Sequence, residues 1–235
     1  MMLLALQTAA LPKGFEGGAE LAATAVSFAL IPAALALCTA FPRIFVTLSI
    51  LRQGLGIGGV PGNLILTGLA AVLTFAAMGP TLDAAWKGGL NSLAQGTSKD
   101  PIVAMRGAEQ PLREFMFGQL EQSGGGGTLA TVMKSKGIAV DPAKPPARRE
   151  IDTMTLVPAF ALNELRVACM LGFKILLPFL AIDLAVAATL ASLGMFMTPP
   201  TLVSLPLKLM LFVAVDGWAM VSAGLVSGVV QGVPT

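Results

Sequence analysis

The sequence predicts an all-α, membrane-associated fold of helical hairpins that prolines kink and break and that an oligomer shelters. Three observations carry this prediction. Hydrophobic residues make up 55% of the 235 and charged residues only 12%, about half the charge of an ordinary soluble domain. Sixteen of the charges fall from Asp83 to Glu150, and long charge-free runs precede that stretch. After Asp152, six charges and several prolines interrupt otherwise apolar sequence.

Residues 1–20 join an apolar stretch to small residues ahead of Pro12 but carry no positive n-region, so they read either as a short signal or as a partly embedded N-terminal segment. Residues 21–82 form the first hydrophobic helical pair. Between Glu20 and Arg43 the run LAATAVSFALIPAALALCTAFP is long enough to cross a hydrocarbon core as a helix kinked at Pro32. Its partner is NLILTGLAAVLTFAAMG, preceded by the flexible GLGIGGVPG, which gives two helices and a tight connector. Arg43 and Arg52 in that connector favour keeping it cytoplasmic and putting the central stretch on the far side.

Residues 83–152 are the polar, water-facing part. The segment SGGGGTLATVMKSKGIAVDPAKPPARRE reads as partly disordered or loosely folded. Ahead of it, AMRGAEQPLREFMFGQLEQ has a helical pattern interrupted at Pro111, with Leu112, Phe115, Met116 and Leu120 on one side. Glu109 and Arg113 stand in the favourable i, i+4 order, though Pro111 between them threatens the turn; a surface bridge and a contact with a partner subunit both fit.

Residues 153–235 supply the second hydrophobic pair, divided at MTPP. Glu164, Arg166, Lys174, Asp183, Lys208 and Asp216 puncture it. An Asp, Lys or Arg facing lipid at mid-helix costs roughly 2.5–3.5 kcal/mol on insertion scales. Either the helices cross the bilayer with these charges paired inward, or some are broken hairpins sheltered in an assembly. Pro158, Pro178, Pro199, Pro200 and Pro206 favour the second, because irregular backbone at depth needs protein or a water-filled cavity around it.

The spacings refine this. Glu164 and Arg166 are two apart and share no helix face, so each needs a different partner, which other subunits could supply. Lys174 and Asp183 would face opposite ways in one continuous helix, a helix that Pro178 argues against. Lys208 and Asp216 are about 80° apart around an ideal helix and could line one broad side. A proton or ion relay and structural ionic contacts between subunits both account for the pattern. Asp216, Gly217 and Trp218 read as an element near an interface.

Several function classes fall away. The chain has no histidine, which removes the serine–histidine–aspartate triad, the cysteine–histidine pair and all histidine metal sites. GLGIGG lacks the strand and surrounding unit of a dinucleotide fingerprint. No catalytic group, metal or cofactor is expected. A net charge of +2 gives no case for nucleic acid. Cys38 and Cys169 lie in apolar sequence and read as buried small hydrophobes; spacing alone cannot establish a disulfide between them.

The most suggestive local feature is GMFMTPP at 194–200. It sets soft, flexible side chains where a glycine, Pro199 and Pro200 prevent regular helix. Repeated around an oligomer, Met195, Phe196 and Met197 would form a compliant apolar constriction; core filling between helix ends is the plainer alternative.

At this point the chain resembles the FliP family of flagellar export-gate proteins, related to the SctR proteins of virulence secretion systems. The matching segments are FPRIFVTLSILRQGLG, PGN at 61–63, AEQPLREFM, VPAFALNELRVACMLGFKILLPFLAIDLAVAATLASLGMFMTPP and SLPLKLMLFVAVDGW, in order, across residues 26–226. Pro42, Gly62, Asn163 and Phe196 depart from the family pattern, the last replacing the middle of a methionine triplet. The resemblance implies an integral component of the type III export apparatus of the bacterial inner membrane, in the flagellar basal body, with its central region periplasmic. It implies five copies stacked helically with FliQ and FliR family subunits, alongside FlhB and FlhA family components, passing unfolded flagellar substrates. It maps Met195, Phe196 and Met197 onto the gasket closing the pore. It makes Arg43, Arg52, Glu164, Arg166, Lys174, Asp183, Lys208 and Asp216 candidates for buried intersubunit or structural charges, with Pro199, Pro200 and Trp218 as breaks or packing residues.

Two rivals stand beside this reading. A purely structural scaffold fits the charge-interrupted helices equally well but has no use for a deformable apolar ring. An ion-driven transporter would have to use Glu164, Asp183 or Asp216, the acids of the apolar half.

Overall fold

The structure is a computed structural model that describes residues 36–90, 101–138 and 146–230. Residues 38–235 form one compact unit; the kink expected at Pro32 and the N-terminal segment lie outside the described residues. Every regular element described is helical, as the composition and periodicity led one to expect.

Helix α1 (Phe41–Leu55) falls where the sequence reading had only a connector. Ile44, Leu48, Leu51 and Leu55, spaced four, three and four, are all but fully buried and make a continuous apolar stripe. Pro42 sits in its first turn, where no hydrogen bond is lost, and Gly56 closes it in the left-handed conformation at φ 74°. A short turn leads to α2 (Asn63–Ala85), which a π-helical turn extends over Trp86–Leu90. Its Leu66, Ala70, Ala77 and Met78 face the core, while Leu64, Ile65, Val72 and Phe75 face outward.

The polar region is more ordered than its composition promised. Helix α3 (Pro101–Gln122) runs through Pro111 without a break and keeps the Glu109–Arg113 pair at 3.8 Å. Phe115, Met116 and Leu120 are buried on the expected side, with Leu112 packed at their edge. The glycine-rich stretch that was expected to be loose contains α4 (Gly126–Ser135), docked on the next helix. Its glycines are confined to the start, and the apolar run TLATVM supplies Val132 and Met133 to the core.

Helix α5 (Thr153–Ser192) is the spine of the unit. It is continuous for 40 residues, or about 60 Å, which corrects the expectation that Pro178 would interrupt it. Pro178 forfeits one backbone hydrogen bond, yet packing holds the helix on both sides of it: Gly172 abuts Ile50 of α1, and Phe179 meets Phe212 with ring centroids 6.3 Å apart. The break comes instead at Pro199 and Pro200, before α6 (Pro200–Ala214). A second bend, of 62°, separates α6 from α7 (Gly217–Val230). There Asp216 takes a left-handed φ of 48°. Gly217 leaves room for the Phe212 ring, which would lie 2.2 Å from any Cβ. Trp218 stacks edge-on against the same ring at 5.4 Å.

Among the described residues, two helical segments, Asn63–Gly89 and Thr153–Ser192, are long and apolar enough to cross a membrane, and α6 with α7 makes a third if the bent pair counts as one. Much of the outer surface of α5 is apolar and uncovered, including Leu162, Met170, Phe173, Leu177 and Leu184. Cys38 and Cys169 are both free thiols. Cys169 lies on this exposed surface, contrary to the buried reading.

Candidate functional site

Two kinds of feature carry the functional argument: ionic ties that fix the helices, and the tip of the α5–α6 hairpin.

The first tie lies where α1, α5 and α7 converge. Arg43 Nη2 donates to Glu164 Oε1 at 2.5 Å, and both side chains are almost wholly buried. Arg43 Nη1 reaches the carbonyl of Gly228 at 3.4 Å, near the C-terminal end of α7, where a cation offsets the negative end of the helix dipole. Gln119 of α3 donates to the neighbouring Val229 carbonyl at 2.7 Å. Asn163 Nδ2, from α5, donates to Ser123 Oγ at 2.6 Å. Glu164 therefore finds its partner inside the chain, not on another subunit. Sequence reading missed Gln119 and Ser123: Gln119 lies in a segment read for its apolar stripe, and Ser123 opens the glycine-rich stretch read as loosely folded.

The second tie repeats the device lower on α5. Lys208 of α6 donates to Asp183 Oδ2 at 2.6 Å and to the Gly54 carbonyl, at the end of α1, at 3.0 Å. Ser204 donates to the other oxygen of Asp183 at 2.5 Å. Lys208 thus pairs with Asp183 and does not share a side with Asp216, which stands exposed beyond the end of α6. Lys174 points away from the Asp183 side, as the 180° spacing of a continuous helix requires. Arg166 is exposed as well. Among the described residues, neither these two cations nor Asp216 has an ion-pair partner. Arg52 is half-buried and caps the turn into α2, donating to the Pro61 carbonyl at 3.2 Å and Asn63 Oδ1 at 2.7 Å.

A third cluster fastens the polar region. Arg113 donates to Thr153 and to the Ile151 carbonyl, while Arg148 pairs with Glu121. Both guanidinium groups sit over Phe117, 5.8 and 5.7 Å from its ring centroid. The Glu121 carboxylate beside it holds the Arg148 guanidinium above its ordinary pKa.

At the hairpin tip, α5 ends in a pair of backbone hydrogen bonds characteristic of a glycine-capped helix. Gly194, at φ 74°, donates to the Ala191 carbonyl at 3.1 Å, and Met195 N–H reaches back to Leu190 at 2.9 Å. Thr198 N–H turns to the Met195 carbonyl at 3.4 Å, Pro199 is extended, and Pro200 opens α6. The backbone is thereby fixed while the side chains are left outside. Met195, Phe196 and Met197 are 47, 81 and 97% exposed. Leu193 and Leu202, which the sequence reading did not single out, flank them and are also exposed.

The FliP family model matches residues 24–225. The chain is 37% identical over 197 residues to the flagellar biosynthetic protein FliP of Rhizobium meliloti (strain 1021), spanning 83% of this chain and 77% of that one. It is 38% identical over 211 residues to the protein of the same name from Bacillus subtilis (strain 168), spanning 89% and 91%. The corresponding protein of Pectobacterium carotovorum is 40% identical over 201 residues, spanning 85% and 74%.

Proposed function

The chain belongs to the FliP family and is a component of the flagellar export apparatus, and from that premise we propose that its α5–α6 tip is a segment of the gasket that closes the export pore. The observation that carries this reading is the run of three consecutive large apolar side chains, uncovered in the single chain and held outward by a fixed backbone. A core residue would be covered, and a solvent loop would be polar. Copies arranged about an axis bring the tips together, so that each methionine finds apolar partners on its neighbours. Methionine then yields to a passing unfolded chain because its side chain adapts to irregular shapes. Phe196 is stiffer than the methionine it replaces.

The same reading has the protein assemble with further copies of itself and with FliQ and FliR family subunits, next to FlhB and FlhA family components, in the bacterial inner membrane. It puts α3 and α4 in the periplasm. The length of α5 supports a gate raised out of the membrane plane, since about 60 Å of helix is twice the thickness of a hydrocarbon core. Its uncovered apolar surface supports burial against other subunits. The Arg43–Glu164 and Asp183–Lys208 ties are structural: each acid already has a cation within the chain, which argues against an ion relay.

Replacing Met195, Phe196 and Met197 together by alanine is expected to let small ions through the assembled complex. Conductance of cells or reconstituted membranes measures it against the unsubstituted protein. Unchanged permeability, with the complex intact, would leave a scaffold role and remove the gasket.

A further inference from the structure

We infer that Lys174 of one copy pairs with Asp216 of the adjacent copy, so that the apolar outer face of α5 is a docking surface for the α6–α7 bend of a second copy of this chain. The inference rests on the oligomeric reading above and adds its register.

Two contacts fix how α5 and α6 run past each other. Phe179 meets Phe212, and Asp183 meets Lys208. Four residues along α5 therefore match four residues back along α6, as antiparallel helices of equal rise demand. The same register carries the last residue of α6, Ala214, to the level of residue 177, so the bend that holds Asp216 follows near the level of Lys174. The two opposite charges thus stand near one height on the hairpin, yet they do not meet within the chain.

Each lies among uncovered apolar side chains. Met170, Phe173 and Leu177 surround Lys174, and Val213, Val215, Trp218 and Met220 surround Asp216. A charge so placed needs either water or a partner when its surroundings are covered. Covering either patch with lipid or with an apolar helix would strand the charge. Covering one patch with the other satisfies both, because the charges are opposite and the level is shared. Copies set side by side with little axial shift bring the two patches together. Asp216, past the end of α6, takes a left-handed backbone rare for a residue other than glycine, and it stands exposed. Arg166, two turns along α5, is the cation that a larger axial shift would select.

The test uses the full export complex, with Cys38 and Cys169 replaced by serine because Cys169 lies on the same face. Two versions of the chain carrying tags of different length are co-expressed, one with Lys174→Cys and the other with Asp216→Cys. A bismaleimide spanning an ion pair is expected to give a mixed-tag dimer, whereas two Lys174→Cys copies give none. Separately, Lys174→Asp and Asp216→Lys should each lower the yield of assembled complex by about tenfold or more, since like charges would then face each other across the contact. The double reversal should restore it. Two results overturn the pairing: a cross-link from position 174 to a different protein, or no mixed dimer in a complex of normal mass. In each of these the oligomeric reading survives. A protein that stays monomeric in the intact system sinks both.

Discussion

Replacing Glu164 by alanine is expected to destabilise the folded protein by about 3–5 kcal/mol, the effect of stranding a buried charge. The substitution leaves the Arg43 guanidinium buried, with only the Gly228 carbonyl as a weak partner at 3.4 Å. Arg43→Ala should cost a similar amount from the other side, since Glu164 is fully enclosed. The informative variant is the double replacement Arg43→Met with Glu164→Leu. It removes both charges together, so it should be less destabilising than either single change even though it surrenders the link to α7. The pair is not optimally satisfied, because Glu164 Oε2 and Arg43 Nε have no hydrogen-bond partner among the described residues. That favours a mild double replacement. Thermal unfolding of the purified protein in detergent, followed by helical signal, gives the order. Additive single effects would show that the two residues act apart and that this tie has been misjudged.

The ties also show what the sequence exposed and what it hid. Charge type and position marked Glu164, Asp183 and Lys208 as residues that need partners, because an apolar run makes any charge conspicuous. Their partners were not legible. Spacing arithmetic compares charges along one helix, whereas Arg43 meets Glu164 across 121 residues and Lys208 meets Asp183 across a hairpin whose register the sequence does not print. Helix α1 was hidden for a related reason. Arg43 and Arg52 made its segment look like an aqueous connector, and their charges outweighed the stripe of Ile44, Leu48, Leu51 and Leu55 that was there to be read. Once Arg43 is seen to be consumed by a buried pair, its weight as a topology signal falls. Pro178 misled in the opposite direction. Local preference ends a helix at proline, but tertiary packing on both sides can carry the helix through. The hairpin tip was legible because glycine and two prolines act locally, through backbone geometry alone.

A second large effect is expected at Gly172, where Ile50 of α1 presses against α5. Ala168 and Gly172, four residues apart and both buried, offer α1 a smooth track of the small-residue kind that lets helix backbones approach. A Cβ at position 172 would stand 2.4 Å from Ile50 Cδ1 and 3.0 Å from both Cβ and Cγ2 of that residue. The terminal methyl could swing away. The branch point could not, because it is fixed to the α1 backbone, so even alanine pushes the helices apart. Gly172→Val should therefore destabilise by about 3 kcal/mol, the upper part of the range for overpacking a well-filled core. The consequence reaches beyond the site. Glu164 lies two turns along α5 and Lys208 binds the end of α1, so widening the helix pair stretches both ionic ties at once. If this geometry is right, Ile50→Ala should relieve much of the damage of Gly172→Val, although alone it removes a useful contact. A double-mutant cycle measures that coupling directly. Purely additive losses would mean that Gly172 is required for some reason other than its contact with Ile50.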